Sequence, residues 1–219
     1  MSAIASPFDL RKQLAFYASY HTNHVNVAIH IAGVPSIIFA TSTLLAKSGS
    51  LLPWIEAHLP IVAALLSQVG SILASVLPAA VFQHAQLNLA AVFMGSYWLY
   101  YSVLDSTAAL MLAPIWYAIW YASTALATFH PDAGKIAAAI ETFGWISQFY
   151  GHGVYERRAP ALLDNLLGAV VLAPFFIFLE VIFPLGYRPE LQKQLKNDVG
   201  KLVTKFRTEK AQAKRGRSD

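Results

Sequence analysis

Apolar residues run along this chain in long blocks separated by short polar breaks. Residues 8–20 place Leu10, Leu14, Tyr17 and Tyr20 along one side of a helix with Arg11 and Lys12 off it, the pattern of an amphipathic helix at a membrane interface. That helix should end near His21 to Asn23, because Thr22 and Asn23 favour turns, and Asn23 can cap the helix that follows. An apolar helix is expected from His24 to Ala46, with a kink near Pro35 where one backbone donor is missing. Residues 59–82, 87–104 and 107–129 read as further spanning segments, the last two separated only by Asp105 and Ser106. The aromatic clusters Tyr97, Trp98, Tyr100, Tyr101 and Trp116, Tyr117, Trp120, Tyr121 read as interface belts, as does Trp54.

A moderately apolar helix is predicted from Ile136 to Glu156. Residues 161–187 are apolar but carry Asp164, Asn165, Pro174, Glu180 and Pro184, so a bent or re-entrant segment is expected rather than a simple span. The pattern predicts an all-α fold: a polytopic helical membrane bundle of about four spanning helices plus interfacial and re-entrant helical segments. Residues 1–187 would form one membrane domain, and residues 188–219 a helix-compatible tail.

Charge sharpens this picture. Residues 57–104 hold 48 positions without Asp, Glu, Lys or Arg, and residues 106–131 hold 26 more. The tail carries 10 basic and 4 acidic side chains, which places it on the cytoplasmic side of a membrane. The basic excess is confined to that tail, which disfavours nucleic-acid binding. Before any long apolar run come Asp9, Arg11 and Lys12, without a signal-peptide pattern, so insertion is expected to be directed by the first spanning helix. With no cysteine, any metal must be held by nitrogen and oxygen.

Polar groups in such a chain fall in two clusters. The first is Tyr20-His21-Thr22-Asn23-His24-Val25-Asn26 with His30. Asn26 and His30 share a helix face, whereas His21 and His30 stand about 180° apart on a continuous helix and converge only if the chain bends at Thr22-Asn23. The second is Gln148, His152 and Glu156 at i, i+4, i+8 spacing, one stripe of a helix, with Gly151 and Gly153 leaving room for another group to approach His152. Imidazoles and a carboxylate suit non-haem iron, zinc or manganese. His58 and His84 read as interfacial, and His130 as a helix-end residue bonding the last carbonyls and a minor metal candidate. Asp164, Asn165 and Glu180 read either as groups orienting ligands or as partners for backbone at the bends.

At these residues the chain resembles the fungal 2-hydroxy fatty acid dioxygenase family, iron-dependent membrane proteins. The resemblance rests on Asp9 to Tyr17, Tyr20-His21-Thr22-Asn23, Asn26 to His30 and Val34-Pro35, on Gly144 to Leu166, and on Leu172 to Phe176 through Glu180, about 75 of 219 residues. It implies an Fe(2+)-dependent enzyme of the endoplasmic reticulum membrane that shortens long-chain 2-hydroxy fatty acids by one carbon with O2, in phytosphingosine degradation. It also implies His21, His30 and His152 as metal-site histidines, and Glu156 as a ligand or as a partner orienting them. His24 stands where the family usually has proline, so the helix break must rest on Thr22 and Asn23.

The reaction R–CH(OH)–COOH + O2 → R–COOH + CO2 + H2O balances in atoms and electrons without a further reductant. This agrees with the lack of a Gly-rich dinucleotide loop or P-loop, so no nucleotide cofactor is expected. Asn26, Gln148 and Tyr20 are expected beside the metal or substrate. Arg157 and Arg158 are expected either to clamp the substrate carboxylate or to contact lipid headgroups. The acyl chain would lie among the apolar helices, in contact with membrane lipid. Two other readings fit the residues alone: a small transporter with a polar intramembrane path, and a zinc-dependent lipid hydrolase. The oligomeric state is left open.

Overall fold

A computed structural model describes residues 6–160 and 170–215. Among them the regular structure is helical throughout. Helix α1 (Leu10–Ala18) opens on Asp9, whose side chain accepts from the Lys12 amide. It closes in a tightened turn, with Tyr20 N–H bonded to Tyr17 O at 3.0 Å and His21 N–H to Ala18 O at 3.1 Å. Asn23 then caps α2 (His24–Ala46), accepting the Val25 amide at 2.9 Å. α2 continues as one helix through Pro35.

α3 (Leu52–His58) and α4 (Pro60–Val76) follow. The segment expected over 59–82 is helical only to Val76, because Pro78 drives Leu77 into extended backbone at φ −114°, ψ 147°. Asn88 caps α5 (Leu89–Leu104), its Oδ1 accepting the Ala91 amide at 3.0 Å. α6 (Ser106–Phe129) and α7 (Ala133–Tyr150) come next, and α7 passes into a π-helical turn, Gly151–Glu156. α8 (Ala173–Ile182), a short 3₁₀ turn (Phe183–Leu185) and α9 (Pro189–Arg215) complete the chain. Of the segment expected to be bent or re-entrant, residues 161–169, with Asp164 and Asn165, lie outside the described residues.

α2 and α6 are long and apolar enough to cross a membrane, whereas α4 and α5, at 17 and 16 residues, are shorter. No residue of α4 is buried, and Ile61 and Val76 stand 78% and 72% exposed.

The chain divides into two compact units. One gathers residues 35–102 and 106–145. In it most of the aromatics expected as interface belts are half-buried, and Tyr101 and Trp116 are buried. An indole N–H removed from water needs an acceptor, so Trp98 donates to Ala109 O and Trp116 to Met94 O, at 2.9 and 2.8 Å. Tyr101 packs edge-on against Trp116, and Tyr117 donates to Val81 O. His130 does not bond the last carbonyls of α6; its Nδ1 accepts the Asp132 amide.

The second unit gathers residues 1–34, 103–105 and 146–219. Here the apolar stripe of α1, expected at a membrane surface, is covered by protein: Leu10, Leu14 and Tyr17 are buried, and α1 packs against α8 and α9. The basic tail is therefore a helix docked along α1, held partly by the Arg11–Asp198 ion pair at 2.7 Å.

Asp105, at the α5–α6 break, is nearly inaccessible, accepting from Tyr187 Oη at 2.9 Å and facing Arg188 Nε at 3.3 Å. Replacing Asp105 by Ala removes the acceptor of Tyr187 and the partner of Arg188, both of which still reach water, and should cost about 1 kcal/mol. A thermal unfolding midpoint unchanged in detergent would contradict this.

Candidate metal centre

Three histidines from three parts of the chain meet in the second unit. The rings of His21, His30 and His152 lie with centroids 4.4, 4.8 and 4.9 Å apart, and one ligand-capable atom from each falls within 4.8 Å of the others. His21 sits in the turn after α1, His30 on the first part of α2, and His152 in the π-turn after α7. The expected bend at Thr22-Asn23 is what brings His21 and His30 together.

Two of the rings are fixed alike. His21 Nδ1–H donates to Tyr17 O at 2.8 Å, and His30 Nδ1–H to Asn26 O at 2.9 Å, each reaching a carbonyl four residues back. A carbonyl can only accept, so the proton sits on Nδ1 and the lone pair on Nε2. His21 Nε2 and His152 Nδ1 are buried without a hydrogen-bond partner. Burial holds the His21 imidazole well below the usual histidine range, with repulsion from His30 adding to it, and burial lowers His152 too. Neutral rings with buried, unpaired nitrogens are the donor set a borderline transition metal takes, so the residues fit a metal ion.

Glu156 occupies a different place. Its Oε1 accepts from the Asn23 amide at 2.7 Å and from Asn26 Nδ2 at 3.2 Å, while Oε2 accepts from Thr22 Oγ1 at 2.9 Å. Both oxygens are thus engaged with the segment joining His21 to His30. The expected stripe of Gln148, His152 and Glu156 passes through the π-turn, a form with an added residue per hydrogen-bonded ring. Arg157 ends that turn in the left-handed conformation, φ 51°, and is exposed.

Close packing explains one flanking glycine but not the other. A Cβ on Gly151 would lie 2.3 Å from Asn26 Oδ1, whereas one on Gly153 would meet nothing within 4 Å. Gly33 is a contact the sequence reading missed: a Cβ there would lie 2.1 Å from Gln148 Nε2. Its signal was present, since Asn26, His30 and Gly33 fall on one helix face at i, i+4, i+7. Gln148 is buried beside them, its amide reaching Ile29 O at 3.4 Å. Tyr17, also missed, stacks on His21 with ring centroids 4.0 Å apart. Arg158 lies over Tyr20, 3.4 Å from the ring centroid, and donates to Ser19 O at 3.0 Å.

These contacts make Gly151 a sensitive position. Gly151→Ala should displace Asn26 and lower metal retention, while Gly153→Ala, facing open space, should retain it. Equal metal content in the two variants, measured by elemental analysis, would contradict the close approach described.

Residues 8–185 match the sequence profile of the Mpo1-like family, described as 2-hydroxy-palmitic acid dioxygenase Mpo1-like. The chain is 36% identical over 192 residues to the 2-hydroxy-palmitic acid dioxygenase MPO1 of Saccharomyces cerevisiae, covering 87% of this chain and 90% of that one. No solved structure matches it. With the profile spanning most of the chain and all three histidines inside it, this protein belongs to the Mpo1-like 2-hydroxy-palmitic acid dioxygenase family.

Proposed function

We propose that this chain is an iron(II)-dependent dioxygenase that converts long-chain 2-hydroxy fatty acids to the acid one carbon shorter. The observation carrying the reading is the convergence of His21, His30 and His152 in a chain of that family. In R–CH(OH)–COOH + O2 → R–COOH + CO2 + H2O, the hydroxyl-bearing carbon and the carboxyl carbon together lose the electrons that O2 gains. When bound to the three histidines, Fe(II) would supply the redox chemistry and a template for the substrate's hydroxyl and carboxylate.

The protein's part is to hold and shape. The Tyr17 and Asn26 carbonyls fix two imidazoles in the tautomer that presents Nε2. Glu156 ties down the Thr22-Asn23 bend, so His21 and His30 keep their separation without the helix-breaking proline usual in the family. Three neutral imidazoles bring no negative charge, and the Glu156 carboxylate is engaged elsewhere. The substrate's own carboxylate is then the anion that complements the centre. Arg158, bonded to Ser19 O, positions the turn that carries His21.

The enzyme works in a membrane, and we assign it to the endoplasmic reticulum with the basic C-terminal helix cytoplasmic, on the resemblance above and the charge bias. The exposed apolar surface of α4 supports membrane burial. We take α2 and α5 as a crossing and its return: Asp105, at the end of α5, meets Tyr187 beside α9. α4 is not a crossing, because the Leu51 amide donates to Leu87 O at 2.7 Å and so the chain enters α3 and leaves the α4 segment on one side.

The test is to purify the protein anaerobically, measure bound metal, and supply 2-hydroxypalmitic acid with O2. The expected product is the acid one carbon shorter, formed only with iron. His21→Ala, His30→Ala and His152→Ala should each abolish turnover, whereas His58→Ala, on a residue capping α3 through Trp54 O, should leave it nearly unchanged. Full activity in His152→Ala would overturn the site. Glu156→Gln should weaken iron binding about 10–100-fold, and undiminished affinity would remove its positioning role.

A further inference from the structure

Beside His21 lies a cavity of about 520 Å³ walled by α1, α8 and α9, within the range of about 300–1,000 Å³ that small-ligand pockets occupy. His21 and Thr22 form part of its wall, so one of the three histidines separates it from the centre. Leu14 and Tyr17 of α1, Phe176 of α8 and Phe183 just beyond it are buried apolar walls. The lining positions of α9 recur at helical spacing from Gln192 to Arg207. At 1.5 Å per residue that stripe is about 22 Å long, a length suited to an extended long-chain acyl group. The exposed Lys196 and Arg207 border it, where their stems can cover apolar surface while their charges stay in water.

The cavity has a direction. Arg11 pairs with Asp198, and Arg158 lies between Tyr20 and Phe206, 3.4 and 4.0 Å from their ring centroids. α1 and α9 therefore run side by side in the same sense. The part of α9 near Phe206 is at the His21 end, and Gln192 is at the far end.

One position on the stripe has no local explanation in the helix. Gly200 is interior to α9, where glycine costs about 1 kcal/mol relative to alanine. Its φ is not positive, and a Cβ there would meet nothing within 4 Å, so neither a turn nor a close neighbour requires it. It lies at the exposed rim of the cavity.

We propose that this cavity holds the acyl chain of the substrate, carboxyl end at His21 and methyl end toward Gln192, and that Gly200 keeps it open to long chains. The proposal rests on the dioxygenase reading and deepens it. It also moves the chain from among the apolar spanning helices to a channel roofed by the basic C-terminal helix.

The test uses the iron-loaded full chain and a series of 2-hydroxy acids from short to long. Gly200→Phe and Gly200→Leu should lower kcat/KM for long chains relative to short ones by about tenfold or more, with iron content and unfolding midpoint retained. Gly200→Ala should change the profile little. In parallel, a 2-hydroxy acid carrying a photoreactive group at its methyl end, bound anaerobically, should label α9 between Gln192 and Val199 or Phe183. An unchanged chain-length profile in both bulky variants, equal loss at every length, or labelling confined to α4–α6 would overturn the channel. If the unsubstituted protein turned over no 2-hydroxy acid, the dioxygenase reading would fall instead. The photolabel would still report whether a long-chain acid lies along α9.

Discussion

The Glu156 carboxylate joins two parts of the chain more than 130 residues apart, and the candidate centre depends on that junction. Thr22 and Asn23 interrupt the helix between His21 and His30, and an interruption alone leaves the two rings free to diverge. Accepting from the Thr22 hydroxyl, the Asn23 amide and the Asn26 side chain, Glu156 converts a local break into a fixed angle. The same residue ends the π-turn that carries His152. One carboxylate thereby sets the relation among all three rings. A charged group taking several hydrogen bonds, two of them from a single short segment, is well suited to this, because charge-assisted bonds are among the stronger ones a protein makes.

Much of the centre was legible in the sequence. The nine-residue spacing of His21 and His30 demands a bend, the residues between them are turn-formers, and the three rings do converge. Gly151 was correctly suspected of admitting a neighbour, and the neighbour is Asn26. Legibility failed where the answer depended on a partner far away in sequence. Whether Glu156 faces a metal or a backbone amide is decided by Asn23, 133 residues distant, and helical spacing carries no information about that. The closeness of Gly33 to Gln148 likewise rests on a partner far along the chain.

The fold divides similarly. The start of α2 was readable because it rests on an adjacent capping residue, Asn23, and Asp9 and Asn88 cap α1 and α5 in the same way without having been read as caps. The end of α4 was misjudged because the apolar pattern continues past Pro78 while the backbone cannot. That Trp98 and Trp116 share their N–H groups with backbone carbonyls could not be read locally, because a Trp with such a partner and one without it have the same local sequence. The amphipathic stripe of α1 could have met lipid or protein. α9 decides it, and α9 had been read as a helix-compatible tail with no partner in the chain. Family membership, in turn, favours the oxygenase over the transporter and hydrolase readings, which the ligand chemistry alone leaves level.

The contact between α1 and α9 also constrains how the chain threads a bilayer. Both helices are polar enough to lie outside the hydrocarbon, and Arg11 touches Asp198 across them. In the membrane arrangement proposed for this chain, two segments that touch outside the hydrocarbon share one side, so the chain between them would cross an even number of times. A variant that gained or lost a single crossing would carry α9 to the opposite face. It would then lose the wall beside His21 even with every histidine in place.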